Sequence, residues 1–147
     1  MVDTEKPTPE QGPERAAEQP GEERSLQGKL ALVVDDDPDL RDYVRLVLER
    51  AGCRVELARD GAAALAAIAR QAPDIVLLDM RMPKITGDEV LDLLARIERH
   101  PPVVVMTSAK HARDQALRHR NPYYLAKPFD PPTLLATVET ALESEPG

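Results

Sequence analysis

Five short apolar runs, each followed by a stretch of helical periodicity, constrain what this chain can fold into. Leu30-Ala31-Leu32-Val33-Val34 is continuous rather than alternating, the pattern of a strand buried on both faces. Asp37-Pro38 then opens a helix, because aspartate suits the N-cap and proline the first helical turn. Leu40, Tyr43, Val44, Val47, Leu48 and Ala51 recur at helical spacing, and Gly52 stops the run. The unit then recurs. Val55 to Ala58 leads into an alanine-rich helix with Leu65 and Ile68, and Ile75-Val76-Leu77-Leu78 into one with Val90, Leu91, Leu94 and Ile97. Val103-Val104-Val105-Met106 precedes a polar helix around Lys110 to Arg118. Tyr123-Tyr124-Leu125-Ala126 precedes a helix capped by Asp130-Pro131 and carrying Leu134, Leu135, Val138 and Leu142. Strands alternating with helices predict an α/β sandwich around a parallel sheet, and right-handed crossovers leave few topologies.

Residues 1–28 do not share this pattern. They are rich in Pro, Glu, Gln and Gly, with only Met1, Val2 and Leu26 large and apolar, so they bury too little surface to offset the entropy of ordering. They read as a disordered tail, with the folded domain over 29–147. The single cysteine, Cys53, forms no internal disulfide and fits a small residue at a helix-to-strand turn. No apolar run approaches the ~20 residues of a membrane helix, and the acidic N-terminus has no signal-peptide core, so a cytoplasmic protein is expected. A formal charge of −7 argues against a nucleic-acid partner, which rewards a basic face.

In open parallel sheets, ligands bind at the carboxyl ends of the strands, beside the point where strand order reverses. The residues at the end of each apolar run are therefore informative. The first run ends in Asp35-Asp36-Asp37, the third in Asp79, the fourth in Thr107-Ser108 and the fifth in Lys127. The second ends in Arg59-Asp60-Gly61, an ordinary turn and helix start. Asp37 is read as a helix cap. If the other four ends are neighbours, one small site holds three carboxylates, a hydroxyl and an ammonium. Two carboxylates ~4 Å apart repel by about 4 kcal/mol at an effective dielectric of 20, so the cluster calls for a cation. A hard divalent ion such as Mg²⁺ fits oxygen ligands, and the hydroxyl and ammonium suit an incoming phosphoryl group.

Val33-Val34-Asp35-Asp36-Asp37-Pro38, Leu77-Leu78-Asp79-Met80-Arg81-Met82-Pro83 followed by Gly87, Val105-Met106-Thr107-Ser108, and Tyr124-Leu125-Ala126-Lys127-Pro128-Phe129 occur in that order. Over about residues 29 to 143 the chain resembles the receiver domain of two-component response regulators. The resemblance implies a doubly wound, flavodoxin-like fold with five parallel strands in the order 2-1-3-4-5. It implies that Asp79 is the phosphoacceptor, taking a phosphoryl group from a sensor histidine kinase, a phosphotransfer protein or a small donor. Asp36, Asp79 and the backbone carbonyl of Arg81 are implied as Mg²⁺ ligands, with Asp35 acting mainly through water. Lys127 is implied as partner of a phosphoryl oxygen, Thr107 as the switch hydroxyl and Tyr124 as the aromatic coupled to it. Lys127–Pro128 is implied to be cis, and Arg81 sits where family members tune hydrolysis. Such a domain catalyses only its own phosphorylation and dephosphorylation, and signals to a protein target through the face of the fourth helix, fifth strand and fifth helix.

One departure stands out: many receivers place Gly-Ala before the fifth strand, where this chain has His119-Arg120-Asn121-Pro122. Pro122 pushes Asn121 toward an extended conformation, which puts the shape of the signalling face in doubt. The same region is basic, with Lys110, His111, Arg113, Arg118, His119 and Arg120, and reads as a solvated helix face before a docking patch for an acidic partner. The chain ends four residues after Glu143 without a helix-turn-helix, so output is expected through another protein unless this chain is a fragment of a larger one. Two rival readings stand. One is a degenerate receiver acting as a phosphorylation-independent interaction domain. The other is a phosphohydrolase using Asp35-x-Asp37, which leaves no room for a cap segment and no role for Asp79.

Overall fold

The structure, a computed structural model, describes residues 26–82, 84–97, 100–108, 110, 111, 114 and 123–143. The strands are β1 (Leu30–Val34), β2 (Arg54–Ala58), β3 (Ile75–Asp79), β4 (Val103–Ser108) and β5 (Tyr124–Lys127). The helices with stated bounds are α1 (Pro38–Arg50), α2 (Gly61–Arg70), α3 (Gly87–Leu94) and α4 (Pro131–Glu143). The sheet runs β2-β1-β3-β4-β5 with every pairing parallel, the doubly wound order that the resemblance implies. Most of the expected helix between β4 and β5, and all of His119 to Pro122, lie outside the described residues.

The continuous apolar runs fill both faces of the sheet. Ala31, Val33, Leu77 and Met106 point toward α1 and α4, meeting Val44, Leu48, Leu134 and Val138. Their neighbours Leu32, Val34, Leu78 and Val105 point the other way, toward Ala64 and Ala67 of α2 and Val90 and Leu94 of α3. Strands β1 and β3 are buried throughout, while the edge strand β2 is partly exposed, which explains its weaker apolar signal. Asp37 caps α1 by accepting from the Asp39 amide, so the cap reading of that aspartate holds. Thr86 and Glu89 form a reciprocal capping box at the start of α3.

Two expectations need correcting. Leu26, assigned from sequence to the tail, is 0 % exposed and belongs to the core beside Cys53 and Ala51, so the ordered body already includes it. The amide of Gly28 (φ +79°) donates to the Gly52 carbonyl, tying this segment to the loop after α1. Ile97, read as part of the apolar stripe of α3, lies beyond its end and is 45 % exposed. A tightening turn, in which the Ile97 amide donates to the Leu94 carbonyl, carries it off the core face.

Candidate functional site

After β1 the chain turns into α1 on one face of the sheet, and after β3 into α3 on the other. The divergence opens a crevice at the carboxyl ends of these strands. A cleft of about 250 Å³ lies there, lined by Asp35, Asp36, Asp37, Asp79, Arg81, Thr107, Ser108 and Lys127. The four strand ends singled out from sequence therefore do converge.

Each side chain is placed by its strand. Asp35 follows β1 and is fully buried; its Oδ1 accepts from the Asp37 amide at 2.9 Å and its Oδ2 from Lys127 Nζ at 3.0 Å. Asp79 ends β3 and is 3 % exposed; its Oδ1 accepts from Lys127 Nζ at 3.3 Å and from the Arg81 amide at 3.2 Å. Lys127 reaches both carboxylates because β5 pairs it with Ser108, beside the strand that carries Thr107. The Lys127–Pro128 peptide is cis, as the resemblance implies. Asp36 is exposed at the rim.

In the cleft one ammonium faces two buried carboxylates, Asp35 and Asp79. Burial, reinforced by the charge of Asp35, pushes the Asp79 pKa up to about 6, against the opposing pull of the Arg81 amide and Lys127. Burial works against the Lys127 ammonium, but its bonds and charge interactions with Asp35 and Asp79 outweigh that and raise its pKa. Asp35, Asp36 and Asp79 each offer an oxygen within 4.8 Å of the others, an all-oxygen donor set suited to a hard cation. Thr107 is buried, and its Oγ1 has no hydrogen-bond partner, the one such buried side-chain oxygen among the described residues. A buried hydroxyl without a partner costs free energy, and an acceptor arriving in the cleft offsets it. The donor set and this free hydroxyl fit a metal ion together with an anion.

Tyr124 lies on the edge strand β5, opposite Val105, and is 42 % exposed. Lys110 and His111 of the basic segment are exposed, while Arg113, Arg118, His119 and Arg120 fall outside the described residues. Sequence reasoning gave no site role to two residues of α1. The Arg41 guanidinium donates to the Asp35 carbonyl at 2.8 Å, and the Tyr43 hydroxyl donates to the Phe129 carbonyl at 3.3 Å. Nothing local signals either bond; both residues fit the helical pattern equally well without them.

No helix among the described residues is long and apolar enough to cross a membrane. Comparison with known proteins agrees with the geometry. The response regulator receiver domain family matches residues 31–139. The DNA-binding dual master transcriptional regulator RpaA of Synechocystis is 37 % identical over 115 residues, covering 76 % of this chain and 48 % of the regulator. The DNA-binding response regulator MtrA of Mycolicibacterium smegmatis is 37 % identical over 121 residues, covering 79 % of this chain and 53 % of MtrA. The chain thus spans about half the length of these curated relatives. Among solved structures, the chemotaxis response regulator CheY4 of Vibrio cholerae superposes with a TM-score of 0.71 at 29 % identity, over 78 % of this chain and 99 % of CheY4. The receiver domain of NtrX from Brucella abortus gives 0.70 at 33 % identity, over 78 % of this chain and 99 % of that domain. With the parallel order β2-β1-β3-β4-β5 and an acidic crevice at its switch point, this chain belongs to the response regulator receiver domain family of two-component signalling.

Proposed function

We propose that this chain is the phosphoacceptor switch of a two-component phosphorelay, with Asp79 the residue phosphorylated. The observation that carries this reading is the setting of Asp79: buried, at a strand end, 3.3 Å from Lys127 and in one cleft with the unpartnered Thr107 hydroxyl. A carboxylate oxygen of Asp79 attacks phosphorus and forms the P–O bond of an acyl phosphate. The P–N bond of a phosphohistidine donor breaks, and its electron pair stays on the imidazole nitrogen, which takes up a proton. The donor is a sensor histidine kinase or a phosphotransfer protein.

Asp35, Asp36, Asp79 and the Arg81 backbone carbonyl would hold Mg²⁺, which supplies charge neutralisation for the phosphoryl oxygens when bound. Lys127 holds its ammonium between Asp35 and Asp79, within reach of a phosphoryl oxygen on Asp79. Thr107 donates its free hydroxyl to another. That bond draws the end of β4 toward the phosphoryl group and lets Tyr124 move inward, changing the β4–β5 face that a protein target reads. The reading places the protein in the cytoplasm with a protein partner for output. DNA binding is named for the relatives RpaA and MtrA, of which this chain spans about half, and is not part of the output proposed for it. Reduction of the phosphorylated protein with borohydride, followed by peptide mapping, tests the assignment. Conversion of Asp79 to homoserine supports it; conversion at Asp35, Asp36 or Asp37 instead contradicts it.

A further inference from the structure

Lys127 ends a four-residue edge strand, so the sheet alone does little to fix the segment beyond it. Residues 128–130 cross from β5 to the start of α4 at Pro131. The far end of this crossing is fixed by Asp130, whose Oδ1 accepts from the Thr133 amide at 2.9 Å. Its middle is held from α1. The half-buried Tyr43 donates its hydroxyl to the Phe129 carbonyl at 3.3 Å, and the two rings lie 6.3 Å apart with planes inclined at 42°. Burial and the nearby Asp130 carboxylate raise the Tyr43 pKa, keeping the phenol a protonated donor. Two residues earlier on the same helix, Arg41 holds the Asp35 carbonyl. One helix therefore restrains the backbone at Asp35, just past β1, and at Phe129, two residues past the Lys127 that ends β5.

We propose that Tyr43 is a positioning residue for phosphoryl binding: its hydrogen bond to the Phe129 carbonyl holds Lys127, two residues away, in reach of Asp79. The inference rests on the phosphoacceptor reading above and adds a residue that touches neither metal nor phosphoryl group. Lys127 must meet carboxylates on two different strands at once, and small misplacements of a charged group weaken such a site steeply.

The test uses the full chain and beryllofluoride as phosphoryl mimic. Tyr43→Phe keeps the ring and removes the donor. Beryllofluoride affinity, read by fluorine NMR in saturating Mg²⁺, is expected to fall about fivefold, within the range of one hydrogen bond. Mg²⁺ affinity by calorimetry is expected to stay within about twofold, because the Asp35 carbonyl is held by Arg41 and its carboxylate by the Asp37 amide, neither of which the substitution touches. Phe129→Leu carries the opposite expectation. It retains the carbonyl and the Tyr43 bond, so beryllofluoride affinity stays within about twofold even though ring packing is lost. Unchanged beryllofluoride binding in Tyr43→Phe overturns the proposal. Equal weakening of Mg²⁺ and beryllofluoride also overturns it, since that marks general loosening. Failure of the wild type to bind beryllofluoride at all overturns the phosphoacceptor reading itself and this inference with it.

Discussion

Lys127 Nζ sits 3.3 Å from Asp79 Oδ1 while also bonding Asp35, so a single ammonium serves two buried carboxylates. It cannot fully neutralise either one. Burial, reinforced by the Asp35 charge, raises the Asp79 pKa against the pull of Lys127, and makes the acidic cleft a source of instability that a cation or a substitution relieves.

This sets the sign of the pH effect. The folded protein holds the Asp79 proton up to about pH 6, whereas the unfolded chain releases it near the ordinary carboxylate value. Between about pH 4 and 6 the native state binds more protons, so this group's contribution to stability falls as pH rises and then levels off. In EDTA at pH 7.5, Asp79→Asn is expected to be more stable than wild type by roughly 1–3 kcal/mol in urea, a gap that closes below about pH 4. A less stable Asp79→Asn at pH 7.5 contradicts the electrostatic reading.

Removing the ammonium should have the opposite effect. Lys127→Ala leaves Asp35 and Asp79 facing each other without a cation, and is expected to destabilise the metal-free protein by about 2 kcal/mol, less than a fully buried pair because Lys127 is partly exposed. Mg²⁺ should raise its melting temperature more than it raises that of the wild type, since the ion then supplies the missing positive charge. An equal or smaller rise in the variant tells against a metal held by these carboxylates.

Thr107 gives a test in which the proposed switching role and stability part company. Its Oγ1 is buried without a partner, so Thr107→Val is expected to be neutral or to stabilise by up to about 1 kcal/mol in urea. On the proposed switching role, beryllofluoride is expected to shift the Tyr124 resonances of wild type and to leave those of this variant unchanged. Loss of stability above about 1 kcal/mol would show that the hydroxyl already has a partner.

Gly87 sets how closely α3 approaches the end of β3 at Asp79 and Met80. A Cβ there would lie 2.6 Å from Met80 Cα and 2.8 Å from the Asp79 carbonyl oxygen, both backbone atoms without freedom to yield. Gly87→Ala is expected to cost at least about 2 kcal/mol in chemical denaturation, as overpacking of a tight contact does. A change below about 0.5 kcal/mol would mean that the helix start moves freely.

The fold was legible because its strands are buried on both faces and so read as unbroken apolar runs, and because Asp37-Pro38 and Asp130-Pro131 mark helix starts in the sequence itself. The convergence of Asp35, Asp79, Thr107 and Lys127 was legible for a related reason, since strand ends in a parallel sheet share one edge. Leu26 was not legible, because one leucine after a long polar tract carries no period. Ile97 fitted the helical stripe on spacing alone, which cannot show that the helix stops at Leu94. Arg41 and Tyr43 were missed because their partners are main-chain carbonyls, in the case of Tyr43 86 residues away, and a carbonyl leaves no mark in sequence. The left-handed backbone at Lys84 (φ +64°), in the loop after Asp79, was equally hidden, since lysine rarely adopts it.

The most direct measurement is the intact mass of wild type and Asp79→Asn after incubation with Mg²⁺ and acetyl phosphate. Wild type alone should gain a single labile phosphoryl group, and EDTA should abolish the gain. A phosphoryl group on Asp79→Asn as well, or a gain in wild type that persists in EDTA, would contradict Asp79 as the metal-assisted acceptor.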